Sequence, residues 1–352
     1  MKMLKRELAF CCVLTMLLCM TGCAEKQEPA AAPMGKAYFN FFDTVSYVYN
    51  YAGDSAEEFD ARSAEVSDIL SEYHKLFDIY HEYSGINNLC TINRLAGGEP
   101  LSVDEKLIEF LLYAEDLYEK TNGEMNILMG AVLSIWHDCR TAAGEDPSTA
   151  RLPDEEALAE AAKHIDFSSL EIDAAAGTVR LSDPAASIDV GALGKGYATE
   201  QAAEHLVREG VSGYVLNVGG NIRIIGSRPD GSGWTTGIKD PARPDEAFAA
   251  KVDLQNTSCV TSGNYERFFT VGGTQYHHII DQDTLFPADH CASITVITED
   301  SGLADALSTA LFCMPCDEGM SLLKTFDDVE VLWIFSDGTQ RYTEGFTQLL
   351  SN

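Results

Sequence analysis

Two stretches far apart in the chain constrain its fold most: Asp305-Ala-Leu-Ser-Thr309 and Asp189-Val-Gly-Ala-Leu-Gly-Lys-Gly-Tyr197. The first places a carboxylate and a hydroxyl four residues apart, one turn of a helix and one face. The second is a glycine-rich turn running into a helix, with Asp189 before it and Lys195 inside it. Hard oxygen ligands beside a glycine-rich helix start suit magnesium-assisted chemistry at a phosphate. A joint site then requires a fold that brings the two together. Local readings stand beside this one. Asp305 can cap its own helix, Thr309 can be a core threonine bonding back to the helix, and the glycines can serve a structural loop.

The 352 residues are 45% hydrophobic and 22% charged, ample for a sizeable core. A formal net charge of -31 argues against nucleic-acid binding and against a polybasic grip on lipid. A phosphate ligand would need a cation or a local basic pocket to offset that charge.

The N-terminus reads as a targeting segment. Lys2, Lys5 and Arg6 precede an apolar run from Ala9 to Met20, and Met20-Thr21-Gly22-Cys23 follows. This resembles a bacterial lipoprotein signal over 1–22, with Cys23 lipidated and a flexible tether over 23–35. An ordinary secretory peptide is the alternative. The expected location is the extracytoplasmic face of the cell membrane, lipid-anchored.

Periodicity predicts a strand over Phe39–Tyr51 and helices over Ala56–Tyr80 and Asp104–Thr121, the latter stopped by Asn122-Gly123. It also predicts a short buried helix over Leu128–His137 and a helix opening at Pro153. A hairpin is expected over Leu170–Leu181, with helices over Gly196–Glu209 and Gly302–Phe312 and a strand over Val329–Phe335. The irregular alternation gives one α+β domain over 36–352.

Other residues can carry chemistry. Tyr276-His-His-Ile-Ile-Asp281 reads as an alternating strand, with His278 and Ile280 on one face. His278 is a candidate general base and Asp281 a candidate to orient it or replace it. Leu216-Asn-Val-Gly-Gly-Asn221 suggests a bulge or close ligand approach, and Thr261-Ser-Gly-Asn-Tyr265 a hydroxyl-bearing loop; a purely structural turn serves either equally well. Tyr80 can present a ring to a flat ligand or simply pack. Cys313-Met-Pro-Cys316, without a second pair, is a weak metal or redox signal, and buried thiols or a disulfide remain open.

In this order the motifs resemble the ApbE family of flavin transferases, the FAD:protein FMN transferases. The resemblance runs from Phe42 to about Pro315. It rests on Ile188-Asp-Val-Gly-Ala-Leu-Gly-Lys-Gly-Tyr197, Asn217-Val-Gly-Gly220, Thr261-Ser-Gly263, His278-Ile-Ile-Asp281 and Asp305-Ala-Leu-Ser-Thr309. It implies an ApbE-like domain that binds Mg2+ through Asp305, Thr309 and the Ala192 carbonyl. Asp189 and Lys195 would lie on the FAD site, Tyr80 would stack on the flavin, and Phe42 and Ile279 would border the cofactor. Glu124, Met125 and Asn126 match a segment that contacts FAD, and His278 would lie close to the reaction. The implied reaction transfers FMN to a Thr or Ser hydroxyl of a target flavoprotein, releasing AMP. The rival readings are an FAD pyrophosphatase, a non-enzymatic flavin-binding lipoprotein and a solute-binding lipoprotein. A carrier needs no metal pair, and a solute-binding protein would show two similar lobes.

The chain departs from the family pattern in places. Phe42-Asp43-Thr44 replaces Met-Gly-Thr, Asn126 replaces an aspartate, and Ala131 replaces a proline. Asp281-Gln-Asp-Thr-Leu-Phe-Pro287 lacks a proline and a glycine of its turn. Leu285 is disfavoured wherever φ must be positive, so this loop is expected to be reshaped.

Overall fold

The structure, a computed structural model, describes residues 33–243, 245 and 247–351. The expected signal and lipidated Cys23 lie outside the described residues. The tether boundary is corrected: Met34 and Gly35 already belong to a strand. The strands are β1 (Met34–Phe41), β2 (Thr44–Asn50), β3 (Leu101–Ser102), β4 (Leu170–Asp173), β5 (Thr178–Leu181), β6 (Tyr214–Val218), β7 (Asn221–Ile225) and β8 (Trp234–Lys239), then β9 (Phe248–Leu254), β10 (Ser258–Gly263), β11 (Phe269–Val271), β12 (Thr274–Tyr276), β13 (Ser293–Thr298), β14 (Glu330–Ile334) and β15 (Gln340–Tyr342). The helices are α1 (Ala56–Phe77), α2 (Leu89–Arg94), α3 (Glu105–Lys120), α4 (Gly130–Glu145), α5 (Glu155–Ala161), α6 (Gly194–Arg208), α7 (Ser301–Ala310), α8 (Cys316–Leu322) and α9 (Phe346–Leu349).

Eight antiparallel strands form the main sheet in the order β1-β2-β6-β7-β10-β13-β14-β15. Strand alternation sends Tyr214, Leu216, Val218 and Ile225 to the face covered by α1 and α6. Val260, Ile294 and Val296 meet α7 on the same side. Ile224, Cys259 and Ile297 point the other way, onto the β8–β9 hairpin. This mixed arrangement bears out the α+β reading.

Turn chemistry explains two differences from the predicted elements. Phe39–Tyr51 is not one strand but the β1–β2 hairpin, turning at Phe42 (φ 53) and Asp43 (φ 50). Asn217-Val-Gly-Gly220 is not a bulge; Gly219 (φ 60) and Gly220 (φ 97) make the two-residue turn between β6 and β7. A Cβ on Gly219 would stand 2.6 Å from the Thr44 side chain, so the two hairpin turns pack together only with glycine there.

The Leu170–Leu181 hairpin and the stop at Asn122 (φ 54) and Gly123 (φ 93) are as expected. The helix expected over Leu128–His137 instead runs from Gly130 to Glu145. Gly130 lets it start tightly: a Cβ there would lie 2.4 Å from the Ser187 carbonyl oxygen. The six cysteines among the described residues are free.

Candidate active site

Helix α6 starts at Gly194 with no side-chain cap, because Leu193 precedes it. The missing acceptor comes from another helix. Gly196 N–H donates to Asp305 Oδ2 at 2.8 Å, satisfying one orphan amide of the first turn. Asp305 does not cap its own helix; Asp300 does that, accepting from Gly302 N at 2.7 Å and Leu303 N at 3.2 Å. Asp305 is 4% exposed, so an expected metal ligand is also a buried residue.

Lys195 Nζ lies 3.0 Å from the Gly191 carbonyl oxygen and 3.5 Å from Asp305 Oδ2. An ammonium thus sits between a carbonyl and a carboxylate, the donor types a hard cation takes. Ala192 is in the same turn, and Thr309 is one helical turn beyond Asp305; both are half-buried. Among the described residues no three His, Cys, Asp or Glu side chains group as metal ligands. The expected set contains a single carboxylate and would rely on neutral oxygens and substrate phosphate. The donors present therefore fit Mg2+, an ion commonly held by one or two carboxylates plus phosphate.

The turn itself is held from several sides. Asn93 clamps Ile188, accepting from its N–H at 2.7 Å and donating to its carbonyl at 2.9 Å. Asp189 N donates to Ile127 O at 2.8 Å, and Asp189 Oδ1 accepts from Gly191 N at 2.8 Å. Burial pushes the Asp189 carboxyl up, against the Gly191 hydrogen bond and the nearby charges of Arg140 and Lys195.

Tyr80, just beyond α1, is 54% exposed. Its ring centroid is 5.3 Å from that of His137, and its hydroxyl is 3.5 Å from His137 Nδ1. Arg140 Nη2 is 3.0 Å from the same nitrogen. Arginine only donates, so Nδ1 accepts and the ring proton belongs on Nε2.

The segment from His277 to Asp281 is not an alternating strand; only Ile280 makes a bridge, to Pro287. The neighbouring histidines differ sharply. His277 Nδ1 accepts from Ile279 N at 3.3 Å and Nε2 donates to Ala288 O at 2.9 Å, which makes it a structural residue. His278 Nδ1 is buried with no partner. Burial, with the charges of Arg267, Arg140 and Lys195 adding to it, pushes the His278 pKa down to about 3. The fold thus brings Tyr80, Asp189, Lys195 and His278 into one neighbourhood beside Asp305.

Other expected site residues serve the scaffold. Asp281 Oδ1 accepts from Asp283 N at 2.8 Å and Oδ2 from Thr284 Oγ1 at 3.0 Å. Among the described residues no hydrogen bond joins Asp281 to His278, so the orienting role expected of Asp281 is not what its contacts show. Leu285 bears φ 62 rather than avoiding it. Its N–H donates to Asp281 O at 2.8 Å, and its carbonyl accepts from Trp136 Nε1 at 2.9 Å. Those bonds hold a conformation that costs a leucine about 1–2 kcal/mol.

Met125 and Ile279 are buried in apolar clusters. Asn126 accepts from Leu128 N at 2.9 Å and donates to Ile165 O at 3.0 Å, fixing its own loop. Phe42 packs edge-on against His74, ring centroids 5.6 Å apart. Glu124 faces the Asp281 loop. Burial, then Asp283, Asp281 and Glu318, push its carboxyl up to about 7.

His137, Arg140 and Arg267 escaped the sequence reading. His137 and Arg140 are three apart on one helical face. Ending that helix at His137 hid the pair. Arg267 follows the Thr261–Tyr265 loop by two residues, with no local sign of what it faces.

Comparison with known proteins gives the family. The ApbE family model matches residues 43–333. The FAD:protein FMN transferase of Treponema pallidum (strain Nichols) is 32% identical over 316 residues, covering 86% of this chain and 84% of that protein. That of Vibrio cholerae serotype O1 is 26% identical over 349 residues, covering 96% and 98%. The crystal structure of the ApbE protein from Thermotoga maritima superposes with a TM-score of 0.78 at 26% identity, covering 91% of this chain and all of that one. With more than half its length matched by the family and its fold shared, the chain belongs to the ApbE family.

Proposed function

We propose that this chain is an FAD:protein FMN transferase that moves FMN from FAD to a Thr or Ser hydroxyl of a target flavoprotein, releasing AMP. The observation that carries this reading is the convergence of Tyr80, Asp189, Lys195 and His278 beside Asp305. Family membership and the similarity to FAD:protein FMN transferases supply the substrate.

Asp305, Thr309 and the Ala192 carbonyl would hold Mg2+. When bound, the ion supplies charge neutralisation at phosphate oxygens. Lys195 adds a fixed positive charge beside Asp305. Tyr80, more than half exposed, offers its ring to the flavin for stacking.

His278 is neutral at pH 7 and can accept the proton of the acceptor hydroxyl. That oxygen bonds to the FMN phosphorus as the bond to the AMP oxygen breaks. Burial is the main cause of the low basicity of His278, and the part owed to Arg267, Arg140 and Lys195 is the part a bound pyrophosphate would offset. Membrane attachment through lipidated Cys23, on the extracytoplasmic side, completes the proposal; mass spectrometry of the mature N-terminal peptide tests it.

The catalytic test combines the chain lacking residues 1–23 with FAD, Mg2+ and a candidate flavoprotein domain. Flavin fluorescence on denatured partner with matching AMP is the expected result. AMP with free FMN and no labelled partner would favour a pyrophosphatase. FAD binding without AMP would favour a flavin carrier.

A further inference from the structure

In a chain with net charge -31, most arginines have a carboxylate to meet. Arg62, Arg94, Arg180, Arg223 and Arg341 each sit against one. Arg140, Arg151, Arg228 and Arg267, among the described residues, do not, and of these Arg140 and Arg267 are the two that act on His278. The fold nevertheless holds them close. Trp136, one turn before Arg140 on α4, packs on Phe269 with ring centroids 6.2 Å apart, and Phe269 is two residues beyond Arg267. Trp136 also anchors α4 to the Asp281 loop through Leu285 O at 2.9 Å.

The arrangement is held against resistance. Arg267 takes φ 45, a left-handed conformation that a long side chain adopts at a cost. Arg140 is half-buried, and the charge of Arg267 opposes its own. Its hydrogen bond to His137 Nδ1 at 3.0 Å is to a neutral acceptor, and its nearby counter-charge is Asp189, with which it makes no ion pair among the described residues. Arg140 is half-buried and Arg267 exposed, both act on His278 electrostatically, and neither is in an ion pair among the described residues, so the two guanidinium groups suit a dianion there.

We propose that Arg140 and Arg267 form an anion clamp for the phosphate groups of the dinucleotide, positioning the pyrophosphate against His278. The proposal rests on the flavin-transferase reading for the identity of the dinucleotide, but the clamp itself is a phosphate site. Lys195 lies 3.0 Å from Gly191 O and 3.5 Å from Asp305 Oδ2, so its charge is shared with the expected metal site and the arginines add to it. Planar, bidentate guanidinium groups suit phosphate better than a lysine point charge.

The test uses the full-length chain in detergent and its Arg140→Ala, Arg267→Ala, double-alanine and double-lysine variants. Dissociation constants are measured for FAD, riboflavin and inorganic pyrophosphate at two salt concentrations. The clamp predicts that the double-alanine variant loses roughly 10- to 100-fold affinity for FAD and pyrophosphate, keeps its riboflavin affinity within about two-fold, and shows a weaker salt dependence. The double-lysine variant should recover part of the loss, which separates charge loss from misfolding. Equal weakening of riboflavin and FAD in both double variants would overturn the clamp. So would unchanged FAD and pyrophosphate affinity with a raised KM for the acceptor protein, which would make an acidic acceptor segment the ligand. Wild-type binding of pyrophosphate but not FAD would sink the flavin reading and leave the clamp standing.

Discussion

The amide of Gly196 donates to Asp305 Oδ2 at 2.8 Å, and a Cβ on Gly196 would stand only 2.3 Å from the Ser301 carbonyl oxygen. Helices α6 and α7 therefore approach as closely as backbone allows, and the expected metal ligand also caps the neighbouring helix. Gly196→Ala must push the helices apart. It should cost about 1–3 kcal/mol of stability and lower metal-dependent turnover at temperatures where the variant is still folded. Thermal melts and single-turnover assays on one preparation check both.

Asp305→Ala removes two functions at once. Leaving Gly196 N–H unpaired in a buried site should cost about 1–3 kcal/mol, so activity loss in that variant is ambiguous. Asp305→Asn keeps an oxygen for Gly196 and loses the charge. We expect it to fold nearly as well as the parent and to lose on the order of 100-fold in Mg2+-dependent turnover, since a metal ligand supplies several kcal/mol of charge stabilisation. Full turnover in Asp305→Asn would remove Asp305 from the metal site.

His278→Gln should lower kcat on the order of 100- to 10,000-fold, the range for a general base, with little change in FAD affinity. An equal loss in both would mark His278 as a binding residue.

The same variant should alter acid stability. The His278 pKa falls from 6.5 to about 3 on folding, so between those values the unfolded chain takes up a proton that the folded chain excludes. The associated stability is complete above 6.5 and is lost as pH drops toward 3. Denaturant titrations of His278→Gln over that window should be flatter than those of the parent.

Glu124 predicts the opposite slope. Its folded pKa is raised from 4.5 to about 7, so the folded chain holds a proton that the unfolded chain releases. That contribution is complete below 4.5 and is lost as pH rises through 7. Glu124→Gln should be more stable than the parent at pH 8 and equal to it at pH 4. A parent whose stability does not decline between pH 5 and 8 relative to Glu124→Gln would place Glu124 outside the acidic neighbourhood.

What the sequence determined by itself was local or carried by ordered motifs. Helical spacing put Asp305 and Thr309 on one face, Asn122-Gly123 ended α3, and the order of the glycine-rich and His–Asp segments pointed to the ApbE family. Tertiary structure alone decided which side chains face one another. Asp305 caps α6, and Asp281 spends both oxygens on its own loop. Leu285 is held at a positive φ by contacts to Asp281 and Trp136. Arg140 and Arg267, far apart in sequence, both act on His278 electrostatically, and Trp136 packs on Phe269 between their segments. The physical reason is range: backbone propensity and periodicity act over a few residues, whereas burial, pairing and the electric field at a side chain are set by groups that packing brings from distant parts of the chain.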